Sequence, residues 1–93
     1  MITKEFETSL GIVTLRGLKR REIKALRAAG CNVGGIIPLE KLEDHTAAVL
    51  ATLLPQDFMR DKFEELEEAE ILRMHREIIL LTYPREEEIK NSG

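Results

Sequence analysis

Few side chains in this sequence could do chemistry, and their spacing decides what kind. Cys31, His45 and His75 are the only cysteine and histidines, and they share no spacing used by zinc sites. Asp44 adjoins His45, which on a helix puts the two side chains on different sides. On a helical wheel His75 falls inside the apolar arc between Ile71 and Ile79. It is expected as a core-edge histidine held by one hydrogen-bond partner, with a ligand or pH switch as the alternative. The other dense group is Glu64, Glu65, Glu67, Glu68 and Glu70. A cation cage needs carboxylates that converge on one point, whereas these diverge around a helix. They are expected as a solvated acidic lead-in, favourable near a helix N-terminus. With no phosphate loop, nucleophile elbow or Cys/His pairing in the sequence, no catalytic residue, metal ligand or cofactor is expected, and the chain reads as a non-enzyme.

The remaining constellation is basic. Arg20, Arg21, Lys24 and Arg27 share one face of a predicted helix, opposite Leu18, Ala25, Leu26 and Ala29. A helix, a glycine turn and a second helix would suit helix-turn-helix DNA reading, but the segment that should be the recognition helix is Val33-Gly34-Gly35-Ile36-Ile37-Pro38. The helix after it is acidic and alanine-rich. Nucleic acid is therefore not the expected partner, and a solvated basic face is the plainer reading.

The elements that must carry these residues follow from periodicity and punctuation. Alternation in Ile2 to Thr8 and the β-branched run Ile12 to Leu15 predict a β-hairpin over 2–15. Leu18 to Ala29 predicts a helix ended by Gly30. Pro38 opens a second helix to about Leu53, with the stripe Leu39, Leu42, Thr46, Val49, Leu50 and Leu53. A third is expected over 58–83, where Ile71, Met74, Ile78 and Leu81 form a stripe widened by Leu72 and Ile79. The fold class expected is α+β and mostly helical, a short N-terminal hairpin followed by three amphipathic helices in one domain over 1–84. Residues 85–93 are expected as a disordered charged tail.

Composition bounds the setting. No stretch reaches the roughly 18 apolar residues of a membrane span, and Met1 to Gly11 lacks a secretory apolar core. One cysteine excludes an internal disulfide and suits a reducing cytoplasm. The net charge of -3 divides unevenly, since residues 1–30 carry seven basic and three acidic side chains and residues 31–93 seven and fourteen. Such a charge dipole can fold back on itself or join subunits head to tail. The apolar stripe of the last helix is wide enough to serve as an oligomer interface or a groove for a partner helix.

Val13-Thr14-Leu15-Arg16-Gly17-Leu18, the basic helix Lys19 to Gly30 and the acidic helical second half together resemble tail assembly chaperones of tailed bacteriophages and prophages. The likeness spans residues 10–83 and lies in the order of elements. It implies non-catalytic work in the bacterial host cytoplasm. Such proteins bind the long hydrophobic helical tape measure protein, keep it soluble and help tail tube protein assemble around it. Ile71, Met74, Ile78 and Leu81 are the partner-binding residues expected on that reading. Two other classes stay open: a small DNA-associated regulatory protein using Arg20, Arg21, Lys24 and Arg27, and a helical dimerisation or antitoxin-like module that zips through the last helix.

Overall fold

A computed structural model describes residues 2–84, so the tail expected over 85–93 lies outside the described residues. Strands β1 (Thr3–Thr8) and β2 (Gly11–Arg16) pair antiparallel with Thr8 opposite Gly11. The turn between them is fixed by Thr8, whose hydroxyl donates to the Gly11 carbonyl at 2.6 Å and accepts the Leu10 amide at 3.2 Å. Gly11 takes a φ of 126°, a backbone conformation that side-chain-bearing residues rarely adopt. Alternation then sorts β2 by face. Val13 and Leu15 are buried, while Ile12 and Thr14 are exposed.

Helix α1 (Arg20–Ala28) ends at Gly30, whose φ is 94°. It starts two residues later than expected, because Leu18 is drawn into the core and its amide donates to the Thr82 hydroxyl at 2.9 Å. Glu22 secures the start. Its carboxylate accepts the Lys19 amide at 2.7 Å and both terminal nitrogens of Arg16 at 2.8 Å. Helix α2 (Leu42–Leu53) follows a single 3-10 turn over Leu39–Lys41. Thr46, Val49 and Leu50 are buried as the stripe predicts, but Leu39 is 83% exposed, because Pro38 is extended and the chain has not yet entered the helix.

The helix expected over 58–83 is interrupted. Helix α3 (Gln56–Asp61), a 3-10 turn at Phe63–Glu65 and helix α4 (Glu68–Thr82) take its place, with Leu66 and Glu67 extended between them. The wheel supplies the cause. At roughly 100° per residue, a continuous helix would turn Phe58 roughly 140° or more, and Leu66 roughly 80° or more, away from every residue of the Ile71–Met74–Ile78 stripe. The break lets Phe58, Phe63 and Leu66 join the same core as Ile71, Met74 and Ile78. The α+β, mostly helical class with an N-terminal hairpin holds. At the centre of the core, α4 packs on β2 and on α2, and α1 leans on α2.

Candidate functional site

The stripe expected to bind a partner is the middle of the molecule. Ile71, Met74 and Ile78 are buried and Leu81 is half-buried, covered by β2 and α2. Two neighbours cover the centre of the stripe, while of the two residues that widen it Ile79 is half-buried and Leu72 exposed. Gly17 passes so close to the end of α4 that a Cβ there would stand 2.8 Å from the Leu81 carbonyl oxygen. As placed, these four residues are a core, and a partner could reach them only by displacing β2 or α2.

The acidic lead-in also divides. Glu64, Glu65, Glu67 and Glu68 are exposed, but Glu70 is only 6% exposed. Its carboxylate accepts the Ser9 amide at 2.7 Å, the Ser9 hydroxyl at 3.0 Å and the Glu67 amide at 3.1 Å. Those amide donors, the Ser9 N–H first, hold the Glu70 carboxyl below the usual carboxylate range. Glu70 therefore clasps the hairpin turn and caps α4 in one contact. The spacing of Glu67 and Glu70 is that of a capping box and could have marked the cap. Nothing local marks Ser9.

His45 and His75 meet across the α2–α4 contact. Their rings stand edge to face with centroids 5.2 Å apart. His75 is expected to have one hydrogen-bond partner, but the Nε2 atoms of both rings are buried with none among the described residues. Burial depresses the pKa of each below the ordinary imidazole value, and in His75 the neighbouring His45 adds to the effect. His45 also lines an open cleft with the half-buried Cys31 and with Asp44. Among the described residues, no group of three or more His, Cys, Asp or Glu is placed to hold a metal ion.

Arg20, Arg21, Lys24 and Arg27 are all exposed on α1, opposite the buried Leu26. Arg27 reaches the Val33 carbonyl only weakly, at 3.5 Å. Two further grooves join distant parts of the chain. One, of about 400 Å³, runs between β2 and the α2–α3 corner, with Ile12, Leu53 and Phe58 as apolar lining and Asp57, Asp61 and Lys62 beside them. Ile12 stands 66% exposed at its edge. The other is lined by Glu43, Asp44, Glu64 and Glu68 over Phe63 and Ile71. Sequence reasoning missed both, because each joins segments distant in the chain. No helix among the described residues is long and apolar enough to cross a membrane. Comparison with known proteins finds no family model, no curated protein and no solved structure that matches the chain.

Proposed function

We propose that the chain is a non-catalytic tail assembly chaperone of the phage or prophage kind, acting in the host cytoplasm on a hydrophobic helical segment of the tape measure protein. The client class comes from the resemblance in residues 10–83. What supports a place for it is the groove between β2 and the α2–α3 corner, where Ile12 is held in water beside Leu53 and Phe58. An amphipathic helix can lay one apolar face into such a groove and leave its polar face to solvent. The client face thereby moves from the α4 stripe, which the core occupies, to the groove between β2 and the α2–α3 corner. Delivery to tail tube protein follows on the same reading.

Co-expression with the tape measure protein from the same gene cluster tests it. The tape measure protein is expected to stay soluble and to co-purify with the chain. Ile12→Asp, a change at an exposed position, is expected to abolish that without altering the circular dichroism of the chaperone. A tape measure protein that remains insoluble beside the folded wild-type chain overturns the proposal.

A further inference from the structure

The structure carries two opposite charges that it does not bring together. Arg20, Arg21 and Lys24 project from α1 into solvent, and the groove at the start of α4 is rimmed by Glu43, Asp44, Glu64 and Glu68. The ion pairs among the described residues are Lys4–Glu77, Arg16–Glu22 and Arg60–Asp61, so none of the seven joins one. Folding back within the chain is blocked. Leu26 anchors one side of α1 in the core, Arg16 and Glu22 hold its start, and Leu18 is tied to Thr82. The basic face is the side those anchors turn outward.

We infer that copies of this chain associate head to tail, the basic face of α1 on one copy seating on the acidic groove of the next. The fit is one of sign and of form. Among the described residues no basic side chain lines the groove, and its floor is the apolar pair Phe63 and Ile71. Leu72, exposed on α4 four residues after Glu68, shares that residue's helical face and gives the arginine stems apolar surface to lie along. Because the two patches differ, the contact is heterologous and builds a ring or an open array, not a symmetric dimer. It uses neither Ile12 nor Phe58, so it stands or falls separately from the client groove.

Charge reversal tests it. In sedimentation at about 50 mM salt the wild-type chain is expected to form oligomers that weaken by tenfold or more at about 500 mM, since exposed charges are screened at the higher strength. Arg20→Glu/Arg21→Glu/Lys24→Glu and Glu43→Lys/Glu64→Lys/Glu68→Lys are each expected to be monomeric alone. Mixed, they are expected to associate, because the unaltered groove of the first meets the unaltered α1 of the second. A wild-type chain monomeric at low salt overturns the inference. So does assembly that persists in either variant alone, or two folded variants that stay apart when mixed. Retention of a monomeric wild-type chain on duplex DNA, lost on reversing α1, would assign that face to nucleic acid instead.

Discussion

The contact between His45 and His75 makes the fold acid-sensitive in a calculable way. Burial favours the neutral form of both imidazoles, and protonating one puts a charge beside the other ring with no acceptor for either Nε2 among the described residues. A depressed folded pKa means that the unfolded chain takes up the proton first. The stability that the neutral pair contributes is therefore complete above the free-imidazole pKa and is lost as pH falls below it toward the folded values. While both rings stay neutral in the fold, the loss approaches about 1.4 kcal/mol per ring for each pH unit. Between about pH 7.5 and pH 5.5 the pair should then cost up to about 3 kcal/mol, a large share of the roughly 5–15 kcal/mol that holds a domain together. Carboxylates titrate lower and contribute a common background. Urea unfolding of the wild type and of His45→Leu/His75→Leu at the two pH values isolates the pair. The double variant should lose most of the excess slope and be close to wild type at neutral pH, since two unpartnered polar atoms leave the interior. A double variant whose stability falls as steeply as the wild type between those pH values would refute the reasoning.

Three further outcomes follow, two from the packing around α4 and one from the start of α1. Glu70→Ala leaves the Ser9 amide and hydroxyl and the Glu67 amide without their acceptor. It should lower the melting temperature by several degrees and speed hydrogen exchange at Ser9 above all, with Glu70→Gln milder; protection unchanged at Ser9 would count against the clasp. Gly17→Ala drives a Cβ to 2.8 Å from the Leu81 carbonyl oxygen and should cost about 1–3 kcal/mol by overpacking, read as a lower denaturant midpoint. Glu22 is held at a pKa of about 2, first by the Arg16 guanidinium and then by the Lys19 amide. Its stabilisation is present above the ordinary carboxylate value and fades as pH falls from there through about 2. Solvent screening leaves the pair worth about 1 kcal/mol, so Glu22→Gln should unfold earlier at neutral pH and match the wild type near pH 2.

What could be read in advance depended on how local its cause was. The alternation of Val13 and Leu15, the glycine ending α1 and the Thr46–Val49–Leu50 stripe act within a few residues, and each is visible in the sequence. Leu39 followed the α2 periodicity on paper but precedes the helix in fact, and only the extended Pro38 decides that. The break before α4 was present in the wheel angles of Phe58 and Leu66, yet it needed the core to show that those side chains must face the same way as Met74. The candidate grooves were illegible for a different reason. Ile12 and Phe58, or Glu43 and Glu68, become neighbours only through the tertiary fold, and neither spacing nor composition encodes that. The charge asymmetry was plain from counting. Whether it was neutralised internally was not.

The ties between the two ends of the domain also order its folding in time. Ser9 to Glu70, Leu18 to Thr82 and Lys4 to Glu77 join residues 61, 64 and 73 positions apart. A hairpin made first has nothing to rest on until α4 is complete, because Val13 and Leu15 are covered by the last helix. Closing such long loops delays the reward for pairing. During synthesis the N-terminal strands are therefore the part of the chain that waits longest with apolar side chains in water, and a chain interrupted before α4 leaves them uncovered.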